Sequence, residues 1–321
     1  MTSAVVFAYH NVGVRCLSVL LKHGIDVRLV LTHDDHPTET IWFESVKALA
    51  QKHGIDVITP PDPNSNDIVD RVRAIAPDFI FSFYYRSMLQ APLLAIPARG
   101  ALNMHGSLLP KYRGRVPVNW AVIRGECETG ATLHYMVEKP DAGDIVGQLA
   151  VSIGPDDTAF EVVGNVTDAA ASLLDAALPA LLRGERIGRS QDLSQGSYFG
   201  GRKPEDGRID WRNSATDIHN LVRGVAPPYP GAFFDLHGRR VRLLGTKCIA
   251  ETGLDIGSGP NPRPPRPGII VLRGKLHAVC SDGALLELLD IEIAGERVDA
   301  NRFYALFGVQ SHAQKIPFEP T

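Results

Sequence analysis

Ala4-Val5-Val6-Phe7-Ala8-Tyr9 is a short apolar run of the kind that forms a buried strand. Val14 to His23, just after it, carries apolar residues at helical spacing, and Val27 to Thr32 (VRLVLT) is a second strand-like run. Working outward, the pattern repeats. Ile41 to His53 predicts an amphipathic helix, Asp56 to Thr59 a short strand, and Ile68 to Ile75 another helix. Asp78 to Tyr84 (DFIFSFY) is a strongly apolar strand, and Gly100 to Met104 is a further one. Strands alternating with helices imply parallel pairing with helices on both faces. The expected fold class is therefore α/β, with an open, mostly parallel, Rossmann-like sheet. Ligands of such sheets sit beyond the carboxyl ends of the strands, and Asn103 and His105 lie at such an end.

Thr132 to Met136 and Ile145 to Ile153 add two strands, and Thr158 to Leu182 reads as a long closing helix. Ser194 to Gly207 is polar and glycine-rich, the texture of a linker, and Asp217 to Val225 is a short helix. The pattern then changes. Ala232 to Leu236, Arg240 to Leu244, Gly268 to Leu272, Leu276 to Cys280 and Ala284 to Ile291 are short strands separated by turns. They read as a smaller OB-like β-barrel domain. Gly257 to Pro267 (GSGPNPRPPRP) reads as a loop without structure of its own. The expected domains are residues 1–204 and 205–321.

The chain has 321 residues, 44% of them hydrophobic and 21% charged, an ordinary balance for a globular protein. A formal net charge of -3 argues against a partner made mostly of phosphate, such as a nucleic acid. Cys16, Cys127, Cys248 and Cys280 form no C-x-x-C pair and have no histidine cluster beside them, so neither a disulfide framework nor a metal site is expected. His10, His33 and His36 likewise supply no recognisable ligand set. Phe7 to Gly13 lacks the G-x-G-x-x-G of a dinucleotide loop. The N-terminus lacks the pattern of a signal peptide, and no stretch reaches the ~18 apolar residues of a membrane span. A cytoplasmic protein with no membrane insertion is expected.

The chemistry concentrates in Asn103 to Pro117, NMHGSLLPKYRGRVP. Residues two apart on a strand point to one face, so Asn103 and His105 can converge on one reacting group. Asp141-Ala142-Gly143-Asp144 follows, with Gly143 able to support a tight turn and Asp144 reading as a turn residue. Asn, His and Asp suit acyl transfer to an amine. An amide N–H stabilises the developing oxyanion, a histidine moves the proton, and a carboxylate orients the histidine. By spacing alone these residues fit a structural role as well. Tyr84 and Tyr85 fit ligand contact and plain packing equally.

NMHGSLLP, then Gly130-Ala131-Thr132-Leu133-His134, then Asp141-Ala142-Gly143, resemble the signature of the 10-formyltetrahydrofolate-dependent formyltransferases. Arg223 to Ala232 (RGVAPPYPGA) resembles the segment that opens the β-barrel of its two-domain members. The resemblance implies 10-formyltetrahydrofolate as co-substrate and no metal. It implies that Asn103 stabilises the oxyanion, His105 is the general acid/base, and Asp141 tunes His105. It further implies that Ser87, Met88, Leu89, Arg115, Val137, Glu138, Lys139, Pro140 and Asp141 line the folate pocket.

The acceptor amine is read from finer detail. Members acting on initiator tRNA carry a basic insertion after the second strand, whereas Thr32 to Thr40 here is short and acidic. An acidic loop repels a phosphate backbone. FAYHNVG (Phe7 to Gly13), FSFYYR (Phe81 to Arg86), HGSLLPKYRGRVPVNW (His105 to Trp120) and FGGRKPEDGRIDW (Phe199 to Trp211) are similar to members formylating UDP-4-amino-4-deoxy-L-arabinose, in lipid A modification and polymyxin resistance. The resemblance then implies a nucleotide-sugar partner, held by Tyr9, Arg113 and Arg202. Other dTDP- or UDP-linked 4-amino sugars, methionyl-tRNA, and a non-catalytic folate- or sugar-nucleotide-binding role are the alternatives. Such members continue into a dehydrogenase/decarboxylase domain. This sequence stops at Thr321, so that activity is expected to be absent or encoded elsewhere, and the oligomeric state stays open.

Overall fold

The computed structural model describes residues 1–35, 40–249, 267–307 and 315–318. The chain forms two compact units, one of Met1–Val118, Glu128–Ser152 and Val162–Gly201, the other of Asn119–Cys127, Ile153–Glu161 and Arg202–Thr321.

The first unit carries strands β1 (Ser3–Ala8), β2 (Asp26–Leu31), β3 (Val57–Ile58), β4 (Phe79–Phe83), β5 (Ala101–His105), β6 (Arg113–Gly114), β7 (Glu128–Tyr135), β8 (Ile145–Ser152) and β9 (Tyr198–Phe199). Its helices include α1 (His10–Lys22), α2 (Val46–Lys52), α3 (Asn66–Ile75) and α4 (Ala91–Leu94); α5 (Pro117–Ile123) and α6 (Ala159–Leu182) contain residues of both units. Seven strands form one sheet in the order β3-β2-β1-β4-β5-β7-β8, while β6 and β9 pair separately.

The first five strands of that order are parallel, as expected, but β7 lies antiparallel to both β5 and β8. Residues 136–144 are too short for a crossover, which takes a dozen residues or so, and a short connection forces an antiparallel return. Every residue of β4 is buried, the continuous apolar reading of a strand covered on both faces. Val5, Phe7, Leu29, Leu31 and Ile80 pack with Val69, Val72 and Leu93 from the helices.

The helix expected over 41–53 begins only at Val46. Ser45 caps it, accepting from the Ala48 N–H at 3.2 Å, and the residues before it are not helical. Trp42 and Phe43 instead pack on His10, with ring centroids 4.5 and 4.4 Å away.

The second unit contains α7 (Ala215–Gly224), β10 (Ala232–Leu236), β11 (Arg239–Ile249), β12 (Gly268–Leu272), β13 (Lys275–Val279), β14 (Leu285–Ile293), β15 (Glu296–Arg297), α8 (Ala300–Leu306) and β16 (Ile316–Pro317). The strands form a curled, wholly antiparallel half-barrel in the order β10-β11-β14-β13-β12-β16, with β15 on β14, the OB-like architecture expected. Trp211, Ile218, Val222, Phe234, Leu243 and Phe303 are among its core. α8 escaped the sequence reading. Of the proline-rich loop expected over 257–267, residues 257–266 lie outside the described residues, as does His36. No described helix is long and apolar enough to cross a membrane.

Candidate active site

The antiparallel register of β5 against β7 sets Asn103 opposite His134 and His105 opposite Thr132. Asn103 and His105 share one face of β5, as their spacing requires. The Asn103 Nδ2 donates to His134 Nε2 at 3.1 Å. His134 Nδ1 points at the Tyr135 carbonyl at 2.8 Å and so carries its proton, leaving Nε2 to accept. His105 is 6% exposed, and its Nε2 donates to the Tyr112 carbonyl at 2.8 Å.

Asp141 closes the group. Its Oδ1 lies 3.5 Å from His105 Nδ1 and 3.6 Å from His134 Nε2, and its Oδ2 accepts from the Gly114 N–H at 2.9 Å. Burial pushes this carboxyl up. The His105 ring and the Gly114 N–H outweigh burial and hold it well below the usual carboxylate range. The two ring nitrogens of His105 thus face oxygen atoms, Nε2 the Tyr112 carbonyl and Nδ1 the Asp141 carboxylate. The structure brings Asn103, His105 and Asp141 together, with His134 between the first and the last. His134 was quoted as part of the family signature and given no role. Only the antiparallel register reveals its place opposite Asn103.

Backbone conformation around this group is unusual. Asp141 has φ +51°, and in the preceding loop Tyr112, Gly114 and Val116 have φ +57°, +99° and +47°. Non-glycine residues in the left-handed region cost on the order of 1–3 kcal/mol each and persist where surrounding contacts over-determine them. Gly114 has no alternative, because a Cβ there would lie 2.2 Å from the Phe199 carbonyl oxygen.

Those contacts come from residues just before the expected linker, Ser194 to Gly207, and from its first half. Residues 189–199 form a strap across the site. Arg189 exchanges two backbone hydrogen bonds with Ile145, at 2.8 and 3.0 Å. Gln191 Nε2 donates to the carbonyls of Asp141 and Gly143, at 3.0 and 2.6 Å. Ser197 Oγ accepts from the Tyr112 N–H at 2.8 Å, and the Ser197 and Phe199 carbonyls accept from Arg113 and Arg115, both at 3.0 Å. Phe199 stacks on Tyr112 with centroids 5.2 Å apart. Within the expected linker, Ser197 and Phe199 are therefore spent on the loop 112–115.

The remaining predicted residues fall as follows. Tyr9 is buried, donates to Asp35 Oδ1 at 2.6 Å, and lies under the Arg86 guanidinium, 4.5 Å from the ring centroid. The Arg86 carbonyl accepts from Arg115 at 3.3 Å, so Arg86, which the sequence reading passed over, links Tyr9 to Arg115. Ser87, Met88 and Leu89 follow directly. Leu89 is buried, Met88 is 53% exposed, and Asn64 holds this segment through the Met88 carbonyl and the Gln90 N–H, both at 2.9 Å. Val137, Glu138 and Lys139 are exposed and Pro140 is half-buried. Arg113 is half-buried within β6, and its Nε has no hydrogen-bond partner among the described residues. Arg202 belongs to the second unit, where its guanidinium stands 4.6 Å from the Trp120 ring and donates to the Asp206 carbonyl at 2.7 Å. In the acidic loop, Asp34 binds Lys47 at 3.2 Å and Thr59 at 2.7 Å, so part of its charge is answered locally. Among the described residues no group of three or more metal-ligating side chains is assembled.

Two family models match the chain. The formyl transferase model covers residues 9–178, and the formyl transferase C-terminal domain model covers residues 202–307. The chain belongs to the formyltransferase family and is a formyltransferase. Among solved structures, an N-formyltransferase from Helicobacter canadensis, in complex with folinic acid and dTDP-3-aminofucose, is 19% identical, with 90% of this chain and 99% of that one covered and a TM-score of 0.67. The sugar 3N-formyltransferase WlaRD, solved with dTDP and 5-N-formyl-THF, is 17% identical, with 92% and 99% covered and the same TM-score of 0.67. HypX from Aquifex aeolicus, in complex with tetrahydrofolic acid, is 19% identical, with 99% of this chain and 50% of that one covered and a TM-score of 0.59. At these identities the likeness is one of fold.

Proposed function

We propose that this formyltransferase moves a formyl group from 10-formyltetrahydrofolate to the 4-amino group of a nucleotide aminosugar, UDP-4-amino-4-deoxy-L-arabinose. The reading rests above all on the convergence of Asn103, His105 and Asp141 at the carboxyl end of the sheet. Attack of an amine on the formyl carbon builds negative charge on the formyl oxygen. The Asn103 amide has two N–H donors, one directed at His134 and one to offer that oxygen. His105 carries the proton from the attacking amine to the leaving folate nitrogen, and the Asp141 carboxylate stabilises the charged ring while it does so. The amine is itself the nucleophile, so no covalent enzyme intermediate is required.

The residues fit a donor with an apolar ring system and an anionic tail. Met88 and Val137 expose apolar side chains, and Arg115 and Lys139 expose cations. We assign the donor pocket to Ser87 to Leu89, Arg115 and Val137 to Asp141, and the sugar nucleotide to Tyr9, Arg113 and Arg202. Residues 1–204 would hold the folate and catalytic site and residues 205–321 the half-barrel. Support for an aminosugar acceptor comes from the neighbours described with dTDP-3-aminofucose and dTDP, and support for a folate donor from those described with folinic acid, 5-N-formyl-THF and tetrahydrofolic acid. The product would belong to lipid A modification and polymyxin resistance, made in the cytoplasm.

The test is a formyl-transfer assay with 10-formyltetrahydrofolate and, in parallel, UDP-4-amino-4-deoxy-L-arabinose, a dTDP-linked amino sugar and charged initiator tRNA. Turnover of the UDP sugar is expected. Turnover confined to the dTDP sugar would move the assignment to another base and sugar, and turnover confined to tRNA would overturn the aminosugar reading.

A further inference from the structure

Asp141 has to be held in a conformation it does not favour. It sits at φ +51°, in a turn whose Gly143 has no room for a side chain, since a Cβ there would lie 2.0 Å from the Tyr135 carbonyl oxygen. The main-chain carbonyls of Asp141 and Gly143 both turn toward one side chain, Gln191, which lies about fifty residues further along the chain. Gln191 Nε2 donates one N–H to each. The reversed amide would set its oxygen against two carbonyl oxygens, so the orientation is determined. Gln191 Oε1 is buried with no hydrogen-bond partner among the described residues, and the side chain's hydrogen bonds to them are made by Nε2. Rotation of the 141–143 turn would swing the carboxylate away from His105 on β5, His134 on β7 and the Gly114 N–H on β6.

We propose that Gln191 is a positioning residue for catalysis, holding the Asp141 carboxylate against His105 by fixing the carbonyls of the turn that carries it. Gln191 touches no reacting atom in this account. The inference rests on the proposed reaction only in giving Asp141 and His105 their catalytic task. The placement of the carboxylate is independent of the acceptor.

The experiment compares the full-length enzyme with Gln191→Met, which keeps length and removes both N–H groups. With the turn released, the carboxylate loses its histidine and amide partners while burial continues to push it up. Its protonation midpoint therefore moves upward, by about one pH unit or more. Carbon-13 NMR of the Asp141 carboxyl, recorded on protein without substrates, reads this directly, and the acidic limb of the kcat/KM profile should move in the same direction. A fall in kcat of about 10- to 100-fold is expected with KM for both substrates little changed, the cost of a misplacement near 1 Å. An unchanged carboxyl titration in Gln191→Met overturns the proposal, whether kcat falls or not, because a merely structural brace lowers turnover without moving that titration. If Gln191→Met does not fold, Gln191→Leu, which also removes both N–H groups and adds no charge, is read in the same way. If the wild-type enzyme formylates none of the offered amines, the proposed acceptor fails, and the NMR titration still decides the role of Gln191.

Discussion

Both units of the molecule bury ionisable side chains, and they answer them differently. In the second unit Arg223, 6% exposed, donates to the carbonyls of Gly154 and Asp157 at 3.2 and 2.9 Å and to Asn220 Oδ1 at 2.9 Å. Its neighbour on α7, His219, meets Thr246 Oγ1 at 2.9 Å, the Pro155 carbonyl at 3.0 Å and, at 3.5 Å, the exposed Asp156 carboxylate, so the fixed-acceptor case is that of Arg223. In the first unit Asp141 meets two imidazole rings. A main-chain carbonyl can hold a cation and can never exchange a proton with it at neutral pH, whereas an imidazole can. Burial among fixed acceptors makes a brace, and burial among titratable partners makes a reactive group. The cluster around Arg223 therefore ties the loop 154–157 to α7, and the cluster around Asp141 is the one to which the proposed reaction gives the proton transfer.

The sharpest way to break this contrast is His105→Ala. It should lower kcat for formyl transfer by about a thousandfold, the scale of a lost general acid/base, with little change in the urea midpoint. Retention of a tenth of wild-type turnover would place the proton transfer elsewhere. Next in size, Arg223→Ala strands three acceptors in a buried setting and should lower the unfolding free energy by about 3 kcal/mol, with kcat per folded molecule within about twofold of wild type. A urea titration showing no destabilisation would remove the brace. The smallest effect is a pH dependence. Burial, the largest influence on His219, pushes its pKa below the ordinary 6.5. The unfolded chain then binds the proton before the folded one does, so stability falls as pH drops below about 6.5 and levels off once the folded histidine is charged too. The slope cannot exceed one proton's worth, about 1.4 kcal/mol per pH unit. His219→Gln should flatten it.

The elements of the first sheet are legible in the sequence because each is either an unbroken apolar run, as in Phe79 to Phe83, or a helix with one apolar stripe. Partners are another matter. Nothing local in Glu128 to Tyr135 says that it runs against β5, and only that direction sets His134 opposite Asn103. Asn103 and His105 could be read as a pair because two-residue spacing on a strand is a local rule. Asp141 came from resemblance, since its approach to His105 is made by the fold. Gln191 lies between the long helix and the glycine-rich, polar stretch Ser194 to Gly207, and no motif marks it. Composition reports that such a stretch does not build a core, and not that its side chains are idle. Arg86 was missed for a similar reason: it lies in the loop just past an apolar strand, and its contacts with Tyr9 and Arg115 are long-range.

The strap also bears on where this enzyme can be cut. The first family match ends at residue 178, past the last strand of the seven-stranded sheet, and every element of that sheet is present by then. The amide that seats Asp141, the hydroxyl that takes the Tyr112 N–H and the strand that pairs with Arg113 and Gly114 all come later, between residues 191 and 199. An excised domain chosen by its sheet would keep the architecture and lose the contacts that hold the Asp141 turn. The smallest piece worth expressing as a catalyst is longer than the smallest piece that looks complete.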